Sequence, residues 1–273
     1  MENNYKNQNN IIETKRNLKN NDVKNLILFF LITFLWSYSF WFAEIFTGKR
    51  FYLGPFGPTF AAFILTFAEG KWEAVKKLLK RGISLNFKKI WLIPTFFLMP
   101  AIIVLSLVIA ILMGEKVPEF TAFKQPFIII PAFFMIFFLG GPLAEEFGWR
   151  GYALDRLQKK FNALISSIIL GFIWGLWHIP LFFMQGQEIY NNIPIPAFIF
   201  GTILLSTLFT FIYNNTNGSI LAALIFHTMG NLSHFIFPTL STKFGGLISL
   251  ILNLLVIIII IIIFGAKKMS KNN

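Results

Sequence analysis

The chain contains no cysteine. A disulfide framework, a thiolate metal centre and a thiol nucleophile are therefore all excluded. Charge is sparse as well: Asp, Glu, Lys and Arg make up 13% of residues, and the 12 acids are outnumbered by 24 bases. What fills the remaining space is apolar. The 273 residues are 56% hydrophobic, include 35 Phe and have a mean hydropathy of +0.67, whereas soluble domains lie near about 45–50% apolar. Such a chain belongs in a lipid bilayer.

Runs of about 20 apolar residues, the length that crosses the hydrocarbon core, mark candidate spans. They fall at Leu26–Phe46, Phe51–Ala68, Ile90–Met113, Phe127–Ala144, Ala163–Met184, Pro196–Tyr213, Gly218–Phe237 and Phe244–Phe264. The expectation is an all-α, polytopic membrane protein of about eight transmembrane helices around an intramembrane polar cavity. Phe51–Ala68 is short and carries Gly54, Pro55, Gly57 and Pro58, so a re-entrant segment is the alternative there. Residues 26–265 form a single transmembrane domain. The Asn- and Lys-rich tail over 1–25 is expected to be disordered and solvated, and 266–273 forms a second tail. The first apolar stretch is too long for a cleaved leader and lacks a small-residue cleavage site, which predicts a signal anchor.

Most of the 24 Lys and Arg fall in loops on the side of the N-terminus. The positive-inside rule then puts both termini in the cytoplasm, with a bacterial plasma membrane as the expected setting. This distribution explains the basic balance without nucleic acid as a partner. The stretch KWEAVKKLLKRGISLNFKK, 71–89, reads either as an amphipathic segment on anionic headgroups or as a plain solvated loop.

Ionisable groups inside membrane helices are costly and mark function or pairing. The list is short: Glu145, Glu146, Arg150, Asp155 and Arg156 after the fourth span, His178 in the fifth, and His227, Asn231 and His234 in the seventh. A helical hairpin turning at Lys160–Asn162 would set Glu145 and His178 at similar depth, roughly 20–25 Å from that turn, with Asn231 roughly 20 Å in on its own helix. Glu146 and Arg150 are four apart in the favourable order for an intrahelical ion pair, which frees Glu145 to face another surface. His227 and Asn231 share one face. Trp149, Phe172 and Trp174 are candidate apolar walls. Singly, each of these groups reads as a snorkelling helix end, a packing histidine or interhelical hydrogen-bond glue; together, at matched depth, they read as a site.

Three ordered patterns carry a resemblance: EExxxR at 145–150 (EEFGWR), FxxxH ending at His178, where Trp174 stands in the aromatic place, and HxxxN at 227–231 (HTMGN). They resemble the motifs of the CPBP family of CAAX-protease and bacteriocin-processing intramembrane endopeptidases, over about 125–237. GPFGPTFAA at 54–62 is a weaker upstream likeness. The resemblance implies hydrolysis of a peptide bond in a membrane-associated protein or peptide, with Glu145, His178, His227 and Asn231 as catalytic residues and Glu146 and Arg150 in support. Two chemistries are open. In one, Glu145, His178 and His227 hold zinc with a place for water. In the other, Glu145 and His178 activate water without metal, and His227 and Asn231 stabilise the oxyanion. Bacteriocin processing or self-immunity are roles the family allows. The rival readings are a non-catalytic immunity or scaffold protein and a proton-coupled transporter; the latter predicts repeated halves, which the sequence lacks.

Overall fold

The computed structural model describes residues 2–187, 190 and 193–271, with side chains described from Asn21 onward. The described residues are helical and contain no strand. The described α-helices of more than one or two turns, with the two short pieces that follow the break in the fourth span, are α1 (Glu2–Thr47), α2 (Gly57–Arg81), α3 (Leu92–Leu112), α4 (Ile129–Leu139), α5 (Pro142–Gly148), α6 (Asp155–Lys160), α7 (Ala163–Trp177), α8 (Ile195–Asn215), α9 (Ile220–Ile236) and α10 (Gly245–Phe264). The expectation of a solvated tail over 1–25 falls mostly on residues whose side chains lie outside those described.

Five helical stretches are long and apolar enough to cross a membrane: Asn21–Thr47, Lys89–Leu112, Ala163–Phe183, Ile195–Asn215 and Gly245–Phe264. A bent pair, Pro126–Leu139 with Pro142–Lys160, makes a sixth. This is an all-α integral membrane fold; among the described residues the count of eight is not confirmed, because two of the expected spans are shorter than that length. α2 begins only at Gly57, after a 3-10 turn at Gly54–Phe56, and breaks at Gly70 and Lys71, leaving an apolar piece of roughly 20 Å, too short to cross a bilayer. α9 spans 17 residues and is surrounded by protein: Phe226, Ala223 and Thr228 have no exposed surface. By contrast α10 turns Ile262 (77% exposed) and Ile259 outward, as a lipid-facing helix does.

Two side chains set helix starts around the hairpin. Asn162 Oδ1 accepts the Ile165 N–H at 2.8 Å at the head of α7, and Ser219 Oγ accepts the Ala222 N–H at 3.2 Å at the head of α9. The chain turns back at Phe161 and Asn162, so the hairpin expected near Lys160–Asn162 forms, with α7 returning beside the helix that carries Glu145. The second tail closes this end. Lys267 and Ala266 carbonyls accept the Ala163 and Leu164 N–H groups at 2.9 and 3.2 Å, and Asn215 Nδ2 donates to Met269 O at 2.8 Å. These bonds satisfy helix-end groups that would otherwise lack partners, and they seat Met269 in full burial.

α7 and α8 pack at close range through Gly171 and Gly175. A Cβ at Gly171 would lie 2.6 Å from Ile203 Cα, and one at Gly175 would lie 2.6 Å from Thr202 Oγ1. The space between the helices is filled by hydrogen bonds, Thr202 Oγ1 to Gly171 O at 3.0 Å and Ser167 Oγ to Thr210 Oγ1 at 2.7 Å. Small residues four apart bring helices together in this way where lipid offers no hydrophobic drive to associate. The result fixes Trp174 and His178, which lie on the same helix and its end.

Candidate active site

The fourth span is broken where the site begins. α4 ends at Leu139, Gly141 takes φ 109°, and Pro142 opens α5, with a bend of 40° between the pieces. Proline suits the first helical position because it lacks only an N–H that would go unpaired. The break puts Glu145 in the first turn of α5 and turns both carboxylates inward, Glu145 at 5% exposure and Glu146 at none. The upstream GPFGPTFAA segment backs this turn: Thr59 Oγ1 donates to Leu143 O at 3.1 Å, and a Cβ at Gly148 would collide with Pro58 O at 2.4 Å.

Glu146 is the centre of a buried charge cluster. Its Oε1 accepts from Arg150 Nη1 at 3.0 Å and lies 2.7 Å from His227 Nδ1. Arg150 has no exposed surface, and its guanidinium lies over the rings of Phe209 at 3.8 Å and Trp174 at 4.6 Å. Aromatic faces attract a desolvated cation in this way. Arg150 belongs to a wider helical turn, Trp149–Leu154, of π type and wholly buried; such insertions re-aim side chains and recur at functional sites.

Glu145 is held differently. Trp174 Nε1 donates to its Oε2 at 2.7 Å. Its Oε1 lies over Gly141, where a Cβ would come within 2.7 Å of that oxygen and 3.8 Å of His227 Cε1. Trp174 also ties the histidines together. His178 Nδ1 is 2.8 Å from Trp174 O; a carbonyl can only accept, so Nδ1 carries a proton, and in the neutral ring Nε2 is then the acceptor. The indole ring packs edge-on to both His178 and His227, with centroids 5.6 and 5.8 Å apart. Asn231 Nδ2 donates to Gly140 O at 3.2 Å, which docks α9 against the break.

The structure thus gathers Glu145, Glu146, Arg150, His178 and His227 around Trp174, with Asn231 at the break beside Gly141. Glu145, Glu146 and His227 each offer a ligand atom within 4.8 Å of the others, the one such group among the described residues. His178 is not part of it. His234, with Nδ1 unpartnered, is not part of it either. Trp149 and Trp174 are buried walls, whereas Phe172 is 47% exposed, because two positions along a helix turn a side chain to the far face. Asp155 and Arg156 lie outside the cluster: Asp155 bonds Arg81 and Tyr213, and Arg156 pairs with Glu69. Sequence reasoning missed Gly141 and the bond from Trp174 to Glu145. The pair Gly140–Gly141 ahead of Pro142 was the available signal for the break.

The sequence has counterparts. A family model for type II CAAX prenyl endopeptidase Rce1-like proteins matches residues 126–233, the stretch from the start of the bent pair to just past Asn231. A curated protein from Methanococcus maripaludis, CAAX prenyl protease 2, is 32% identical over 227 residues, covering 76% of this chain and 82% of that protein. Both comparisons are to proteases of the CAAX prenyl class, and the non-catalytic alternative is not favoured. The chain belongs to the Rce1-like CAAX prenyl endopeptidase family and is an intramembrane endopeptidase acting on membrane-associated protein substrates.

Proposed function

We propose that this endopeptidase cleaves near the lipid-anchored end of a CAAX-like, membrane-associated protein or peptide, and that Glu145 is the base that activates the attacking water. The observation that carries this reading is the division of labour between adjacent carboxylates. Glu146 is fully buried and engages Arg150 and His227 through Oε1, its Oε2 sealed away without a partner, whereas Glu145, 5% exposed, has one oxygen fixed by Trp174 and the other turned toward Gly141 and His227. A buried carboxylate with one oxygen anchored and one available is suited to proton transfer.

In the proposed step Glu145 Oε1 takes a proton from water while the water oxygen bonds to the scissile carbonyl carbon. His178 Nε2 accepts the second water hydrogen and so orients the attack. The carbonyl oxygen becomes an oxyanion, which the second N–H of Asn231 and His227 stabilise. Collapse breaks the C–N bond, and Glu145 returns its proton to the leaving amine. Glu146 and Arg150 position His227 and do not touch the substrate.

The donor set meets the expected zinc ligands only in part. Of Glu145, His178 and His227, only Glu145 and His227 belong to the close group; its third member is Glu146, whose Oε1 serves a guanidinium while its Oε2 has no hydrogen-bond partner. A buried Arg150 supplies the positive charge that a divalent ion would bring. No step is therefore routed through metal. The basic loops support cytoplasmic termini and a cavity that receives substrates from that side.

The test uses purified protein in nanodiscs and a lipidated peptide with a short C-terminal extension. Glu145→Gln should abolish release of the extension. Asn231→Ala should lower the turnover number by about 10²–10³-fold with little change in KM, the signature of a lost oxyanion donor. Release by Glu145→Gln at the wild-type rate would overturn the assignment.

A further inference from the structure

The kink in α2, where Lys71 takes φ 54° and ψ −155°, separates an apolar helix from a basic one. On both sides of it the chain is clamped to the helical stretch that follows Glu145 and Glu146. Before the kink, Glu69 accepts from Tyr152 Oη at 2.5 Å and pairs with Arg156. After it, Arg81 Nη1 reaches Asp155 Oδ2 at 2.8 Å and Gly151 O at 3.3 Å, and its Nε donates to Gly218 O at 3.0 Å. Between the clamps, Val75 and Leu78 are buried, Leu78 within 3.0 Å of where a Cβ on Gly151 would lie, and Gly82 is filled from the other side by Phe147. The inner face of Lys71–Gly82 thus rests on residues 147–155, directly after the catalytic carboxylates.

The outer face has the opposite character. Lys71, Lys76, Lys77 and Lys80 are exposed, interleaved with Trp72 at 65%, Leu79 at 47% and Ile83 at 77% exposure. Glu73 is the one acid on the segment and is paired with Lys76. Lys88 and Lys89 follow, at the point where Lys89–Leu112 enters the bilayer. Exposed Trp and aliphatic side chains among lysines, joined at both ends to membrane-embedded helices, match the chemistry of an anionic lipid surface: ammonium groups on phosphates, and apolar groups at the acyl boundary.

We propose that Lys71–Arg81 is an anionic-phospholipid-binding strap, and that headgroup binding steadies the helix bearing Glu145 and Glu146 through Leu78, Arg81 and Gly82. Because the chain has no cysteine, Leu79→Cys gives a unique attachment point for an environment-sensitive dye. The labelled full-length protein is placed in nanodiscs of phosphatidylcholine alone or mixed with phosphatidylglycerol. The expected result is a blue shift in the anionic discs that added salt reverses, absent from the Lys76→Gln/Lys77→Gln/Lys80→Gln variant. In the same discs, backbone hydrogen exchange over 149–155 should slow severalfold with anionic lipid for the parent and not for the triple variant. An equal dye signal in both lipids overturns the binding, and exchange indifferent to lipid overturns the coupling. Neither readout needs a substrate, so the outcome is independent of the proposed cleavage.

Discussion

Trp174 Nε1 donates a 2.7 Å hydrogen bond to Glu145 Oε2, across the contact between the two arms of the helical hairpin. The neighbouring Glu146 makes no such bond. It faces Arg150 and His227 instead, because successive residues on a helix point about 100° apart. Two carboxylates adjacent in sequence therefore bond different partners, Glu146 to a buried guanidinium and Glu145 to an indole N–H, with the other Glu145 oxygen turned toward the break at Gly141.

Removing these two carboxylates should have different consequences. Glu146→Gln removes the carboxylate hydrogen-bonded to the buried Arg150, a loss on the order of 3–5 kcal/mol. A fall in thermal unfolding midpoint in detergent is expected, together with lost activity. Glu145→Gln should be inactive with an unfolding midpoint close to wild type. Equal destabilisation by the two substitutions would contradict the division of roles.

Trp174→Phe keeps the ring and the aromatic contacts to both histidines but deletes the N–H to Glu145. A hydrogen bond to a charged group contributes about 1.5–3 kcal/mol, so turnover should fall roughly tenfold or more while KM stays near the parent value. Steady-state kinetics on the lipidated peptide measure both. A variant with unchanged turnover would show that Oε2 needs no anchor.

Gly141→Ala places a Cβ against Glu145 Oε1 and forces an L residue into φ 109°. The strain alone costs roughly 1–3 kcal/mol. The expected variant is inactive and less stable. Wild-type activity in Gly141→Ala would remove Gly141 from the account.

Chelation separates the two chemistries. Prolonged dialysis against a strong zinc chelator should leave both the cleavage rate and the unfolding midpoint unchanged, since Arg150 supplies the charge that balances the cluster. Loss of activity restored by added zinc would reinstate a metal-bound water.

The broad architecture was legible from residues because lipid demands long apolar helices, and scarce polar groups within them stand out. His178, His227 and the Glu145–Glu146 pair were found on that ground. Two features were missed. The break at Gly140–Gly141 lies inside a continuous apolar run, where hydropathy registers composition and not φ, and only the Gly-Gly-Pro order at 140–142 marked it. The bond from Trp174 to Glu145 depends on α7 meeting α5 across the hairpin, a tertiary contact with no local signal on Trp174 itself. Phe51–Ala68 was misleading for a related reason: its apolar length includes Gly54–Phe56, which forms a separate turn before α2 begins.

The central claim is that Glu145 performs peptide hydrolysis in the membrane. Its most direct test compares protein termini in host membranes and medium for cells carrying wild-type protein or Glu145→Gln at matched abundance. New C-termini on membrane-associated proteins that are present with wild type and missing with the variant are the expected result, and they would name the substrates. Identical termini in both, with wild-type protein inserted and folded, would contradict it.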